Sequence, residues 1–335
     1  MHLLYLPSEY SSVPRQLESN CSILCVCSQI FERDAILRQL QSLSDCKSIG
    51  KRQYNDFTIR FFSYRGRCIA VAVSGKNFLS TSLRLSKLFL LLPNVEKVFF
   101  VGIGGSLNPN LKPGDVCIPE KWACHTVGYV YNKTTNKTHA VRYEPELPHY
   151  KDFYPTSTEI GVASNDEIVR AHFLACTPSL FTAVQAILPP PHSVHNFDVH
   201  CGGIGVSGTM FVDSDKYRQH LSETYNAQVV DMESFPFAAA CYEFQKLFCV
   251  IRGISDLAGV FNDGNLGNTI DDSRNLAADN AALVFAHILR RIPLSKTNYS
   301  KIPLRLIQQY LFPSKNPECT INNVPHSPKV NACFQ

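Results

Sequence analysis

Four short runs along the chain are almost wholly apolar and rich in β-branched residues: 22–28, 68–74, 97–103 and 248–255. They lack the alternation of a half-exposed strand and are too short for buried helices, so they read as strands covered on both faces. Between them, apolar residues return at helical spacing in 34–43 and 80–92. Strand and helix therefore alternate, which places the chain in the α/β class.

The stretch 122–157 mixes Tyr, Asn, Thr, Pro and His without a period and reads as a long excursion over the surface. Three consecutive prolines at 189–191 mark another break. The segment 293–335 is proline-containing and aperiodic, so it is expected to be peripheral. The expected organisation is an N-terminal extension (1–21), one domain (22–292) and a C-terminal tail (293–335).

Of the 335 residues, 45% are hydrophobic and 18% charged, which provides for a sizeable core and excludes a disordered chain. The net charge of +4 is small and the cations are scattered, so no electrostatic footprint for nucleic acid is present. No apolar run approaches the roughly 20 residues that cross a bilayer. The 13 cysteines form no CxxC pair and cannot all be bridged internally, so reduced, buried thiols are expected. Residues 1–20 lack a secretory apolar segment, which favours a cytoplasmic protein. The sequons at Asn20, Asn132, Asn136 and Asn298 would matter only if a leader preceded this chain.

Three motifs each fall where a strand is expected to end, the rim at which open α/β sheets bind ligands. The first, Val101-Gly102-Ile103-Gly104-Gly105-Ser106, offers backbone N–H groups to an anion or a sugar, or is simply a tight turn. It is not a dinucleotide fingerprint, because Leu107 and the following prolines break that pattern, nor a P-loop, because it lacks Gly-Lys-Ser. In the second, Asp231-Met232-Glu233-Ser234-Phe235-Pro236, a helix opening near Pro236 leaves Met232 and Glu233 in the loop before it. Either carboxylate there can receive sugar hydroxyls or cap the helix. The third, Arg252-Gly253-Ile254-Ser255-Asp256, ends a strand in a partly desolvated carboxyl group suited to proton donation, or to bonding its own loop. A fourth segment, Val206-Ser207-Gly208-Thr209-Met210-Phe211-Val212, carries an aromatic ring able to stack on a flat base or to join the core.

Taken in order with Lys112-Pro113-Gly114-Asp115, these motifs resemble the nucleoside phosphorylase and nucleosidase family over residues 22–292. The run Ile118-Pro119-Glu120-Lys121-Trp122-Ala123 is similar to the nucleosidase-like branch that includes plant bark storage proteins. The resemblance implies a three-layer α/β/α domain around a mixed sheet, and cleavage of the N-ribosyl bond of a purine nucleoside. Asp256 would protonate the departing base, with Ser255 orienting it. Glu233 would hold the ribose hydroxyls, with Met232 against the sugar. Phe211 would stack on the base, while the main chain of Phe211 and Val212 reads its edge and Gly104 and Gly105 line the sugar side. The resemblance leaves the nucleophile open. Glu32 would activate water in a nucleosidase, whereas Arg33 and the backbone at Gly102 would hold inorganic phosphate in a phosphorylase. No other cofactor and no metal is implied. The expected partners are a small nucleoside and further copies of the chain in a homo-oligomer, with no nucleic acid or membrane. A catalytically weak storage or nucleoside-binding relative is the alternative. Two departures from the family stand out: Gly102 replaces a hydroxyl residue, and Lys76-Asn77-Phe78 replaces a Gly-x-x-Asn-Ala run.

Overall fold

The computed structural model describes residues 20–54, 56–130, 147–162, 168–188, 196–259 and 269–292. The first half of the chain contributes β1 (Cys21–Cys27), α1 (Ile30–Gln41), β2 (Cys46–Gln53), β3 (Thr58–Tyr64), β4 (Arg67–Val73), α2 (Phe78–Leu91) and β5 (Lys97–Ser106), then β6 (Val116–Ile118) and β7 (Lys121–Cys124). Short strands follow: β8 (Gly128–Val130), β9 (Phe153–Pro155), β10 (Thr158–Val162), β11 (Ile168–Ala171) and β12 (Phe173–Ala175). The second half supplies α3 (Pro178–Ile187), β13 (Val199–Cys201), β14 (Ile204–Ser207), α4 (Asp215–Tyr225), β15 (Ala227–Asp231), α5 (Ser234–Glu243), β16 (Leu247–Asp256) and α6 (Thr269–Arg291).

A 12-stranded mixed sheet orders its strands β12-β7-β14-β15-β5-β1-β4-β3-β2, with β16 beside β5 and β6, and β13 beside β6. Strands β1, β4, β5 and β16 run parallel, and each of the four is one of the apolar runs of the sequence. They are continuously apolar because helices cover both faces: Phe99 meets Phe285 of α6 on one side and Phe100 stacks on Phe237 of α5 on the other. Strand β15 meets the far end of β5 antiparallel, pairing Val229 with Ser106 and Val230 with Gly105. Running back along the last residues of β5, β15 ends beside Gly104, so that Asp231, Gly104 and Asp256 line one cleft.

Two expectations need correction. The glycine motif is not a turn after a strand; Gly102 to Ser106 continue β5 itself. These glycines admit close neighbours rather than a chain reversal. The stretch 122–157 does not begin on the surface either, because Trp122 is fully buried in β7 and packs against Gly205 of β14. Residues 131–146, with Asn132 and Asn136, lie outside the described residues, as do Asn298, the tail 293–335 and most of the N-terminal extension. Among the described residues the cysteines are free thiols, and no helix is long and apolar enough to cross a membrane.

Candidate active site

The strand ends line one cleft, partly open to solvent. Strand β5 supplies Ile103, Gly104 and Gly105 to its wall. Ser255 and Asp256 come from β16, and Val230, Asp231, Met232 and Glu233 from β15 and the turn after it. Met210, Phe211 and Val212 form the opposite wall, where Phe211 is 64% exposed and Val212 is buried. Residues far apart in sequence are thus gathered at one rim: Gly104, Phe211, Glu233 and Asp256 share the cleft.

The carboxylate that ends β15 and the one in the turn after it differ in their partners. Asp231 closes the start of α5: its Oδ1 accepts from the backbone N–H groups of Glu233 (3.2 Å) and Ser234 (3.0 Å) and from the Ser207 hydroxyl. Its Oδ2 accepts from the Ser234 hydroxyl and pairs with Arg252 Nε at 2.7 Å. Asp231 is therefore saturated by protein. Glu233 is held by one backbone bond, from Asn77 N–H to Oε1 (2.7 Å), and Oε2 has no partner among the described residues. Burial, reinforced by the negative charge of Asp231 and opposed by Arg252, raises the Glu233 carboxyl to about 7. Its proton thus balances on and off near neutrality, where ligand hydroxyls can tip it to the carboxylate.

Asp256 takes the Ser255 hydroxyl on Oδ2 (2.6 Å) and the Ala258 N–H on Oδ1 (2.8 Å). Ser255 lies within 3.3 Å of the Gly104 carbonyl, so the pair is braced against β5. Gly105 is what lets Asp256 come so close, since a Cβ there would lie 2.9 Å from Oδ1.

Glu32 sits one layer behind the cleft, 1% exposed. Oε2 accepts from the backbone and hydroxyl of Ser28 and from Gln29 N–H, each at 2.8 Å, closing the first turn of α1 as a capping box. Oε1 accepts only from Ile103 N–H, at 2.9 Å. Gly102 lies against this group: an added Cβ would fall 2.6 Å from Glu32 Oε1 and 2.3 Å from Arg252 Nη1. Arg252 is fully buried, its Nε and Nη2 on Ser234 and its guanidinium 4.0 Å from the Phe100 ring centre, while Nη1 has no hydrogen-bond partner among the described residues. Arg33 does not line the cleft; its Nε and Nη2 both bind Asp34. Sequence reasoning passed over Ser28, Gln29, Lys76, Met210, Ala258 and Arg274 as cleft residues. Arg252 stood in a motif without a role of its own.

This is an α/β protein with a cleft at the ends of its strands, with carboxyl groups at two points of the wall and an aromatic face at a third. The chain belongs to the phosphorylase superfamily, whose family model matches residues 24–290. Relatives include the 5′-methylthioadenosine/S-adenosylhomocysteine nucleosidase of Buchnera aphidicola, 27% identical over 206 residues that span 61% of this chain and 67% of the relative. The aminodeoxyfutalosine nucleosidase of Helicobacter pylori is 26% identical over 219 residues, 65% of this chain and 79% of the relative. Among solved structures, futalosine hydrolase of Helicobacter pylori superposes with a TM-score of 0.61 at 22% identity, covering 82% of this chain and 99% of that one. That likeness establishes the fold.

Proposed function

We propose that the protein is a nucleosidase that hydrolyses the N-ribosyl bond of a purine nucleoside. The observation that carries this reading is the convergence of Glu233 and Asp256 on one cleft, with Phe211 exposed in its wall. In the proposed complex the ribose diol donates to Glu233, whose free oxygen and near-neutral balance suit that contact, and Met232 lies along the sugar. The base rests on Phe211 with its edge at the main chain of Val212. Asp256, positioned by Ser255, donates a proton to a ring nitrogen as the sugar–base bond lengthens and positive charge gathers on the ribose. General acid assistance of this kind contributes about 10² to 10⁴ in rate.

Water is the proposed nucleophile. Glu32 Oε1, bonded only to Ile103 N–H among the described residues, lies behind the part of the cleft wall that Ile103 forms and is the proposed acceptor of the water's proton. The phosphorolytic reading loses the cation that the sequence assigned to it, since Arg33 is bound to Asp34 and does not line the cleft. Both named relatives are nucleosidases, which points the same way.

The test is chromatography of adenosine, inosine and 5′-methylthioadenosine after incubation with the protein. Hydrolysis releases the free base and free pentose at a rate indifferent to phosphate. Ribose 1-phosphate would reassign the enzyme as a phosphorylase, and purine binding without turnover would make it a binding relative.

A further inference from the structure

The cleft holds two cations that the proposed chemistry does not use. Lys76 is exposed in its wall and has no ion pair or hydrogen bond among the described residues. Arg274, also in the wall, has only a loose contact with Asp271 on its own helix, 3.7 Å away, with the two side chains 42% and 84% exposed. An ion pair so exposed contributes little. No carboxylate of the cleft pairs with either cation among the described residues: Asp231 pairs with Arg252, Asp256 is bonded by Ser255 and Ala258, and Glu233 by the Asn77 N–H.

Their position is at the sugar end. Lys76 directly precedes Asn77, whose N–H binds Glu233. Helices α1 and α6 follow the parallel strands β1 and β16, pack back against them, and are joined by Arg38 and Asp279 at 2.6 Å. They therefore run side by side in one direction. Arg274, more than one turn before Asp279, lies toward the start of α1, where Ser28 and Gln29 enter the cleft.

We infer that Lys76 and Arg274 form an anion subsite at the sugar end, which selects nucleosides whose 5′ substituent carries a carboxylate or phosphate. This rests on the nucleosidase reading for the placement of the ribose at Glu233. Inorganic phosphate offers the same oxygen chemistry from a different source, and the experiment separates the two.

The measurement is kcat/KM for matched substrates, adenosine 5′-monophosphate against adenosine and a 5′-carboxymethylthio nucleoside against 5′-methylthioadenosine. It is made on the wild type, on the Lys76→Gln/Arg274→Gln double variant and on Lys76→Glu, with circular dichroism to check folding. The inference predicts that the anionic-to-neutral ratio exceeds one in the wild type, falls at least tenfold in the double variant and falls further in Lys76→Glu. It also predicts that raising the salt concentration lowers the wild-type ratio. A ratio that stays within twofold across the three proteins overturns it. Release of ribose 1-phosphate from adenosine, with phosphate saturation lost in the double variant, would overturn it in favour of free phosphate. Should no substrate turn over, the nucleosidase reading fails by itself, and the same ratios of dissociation constants, measured by calorimetry, decide the subsite.

Discussion

Replacing Glu233 by Gln separates what this carboxyl does for a ligand from what it costs the fold. Glu233 is buried beside the ionised Asp231, and its carboxyl is raised from an ordinary 4.5 to about 7. A shift of one unit corresponds to 1.36 kcal/mol, so the full shift represents about 3 kcal/mol between the folded and unfolded states. The sign follows from proton counts. Between pH 4.5 and 7 the folded chain keeps a proton that the unfolded chain has released, so this contribution to stability is complete below pH 4.5 and lost as pH rises through 7. Glutamine keeps an oxygen for the Asn77 N–H but does not titrate. Urea unfolding of both proteins at pH 5 and pH 8 should show the wild type losing about 2–3 kcal/mol more than Glu233→Gln over that interval. Groups common to both proteins cancel in this difference. The variant should be the more stable protein at pH 8 and the poorer nucleoside binder, since function here works against stability. Equal pH dependence in the two proteins would refute the argument that burial and Asp231 strain this group.

Gly102→Ala should destabilise the fold by about 1–3 kcal/mol and lower turnover, because neither Glu32 nor Arg252 has room to retreat from a Cβ; thermal denaturation and steady-state kinetics would measure both. His125 is buried with Nδ1 on the Tyr217 hydroxyl (3.1 Å), and burial pushes it down to about 4. The folded chain then resists a proton that the unfolded chain accepts below pH 6.5, so stability falls as pH drops from 6.5 through 4. His125→Gln should remove about 2 kcal/mol of the wild-type loss between pH 6.5 and pH 5, read by urea titration.

The strands were legible because burial on both faces leaves an unbroken apolar signature, and Asp256 stood out because it ends such a run, whereas Glu233 and Phe211 stood out by their motifs. The glycine motif was misread because sequence reports a glycine but not its neighbours; only the fold reveals that Glu32 and Arg252 crowd Gly102 while Asp256 crowds Gly105. Choosing between Asp231 and Glu233 as the helix cap likewise required the bonds from Ser207, Ser234 and Arg252, which arrive from other strands and helices. Lys76 and Arg274 carry no periodic signal and enter the cleft through the sheet order alone. Trp122 looked peripheral because β7 is only four residues long, and its burial depends on β14 passing alongside.

The central claim is that Asp256 and Glu233 act on one bound nucleoside. Single-turnover release of free base from 5′-methylthioadenosine, compared between the wild type and Asp256→Asn, tests it most directly. The account predicts base release by the wild type without phosphate, and a rate lower by about 10² to 10⁴ in the variant while nucleoside affinity changes little. Equal rates in the two folded proteins, or no base release by either, would contradict it.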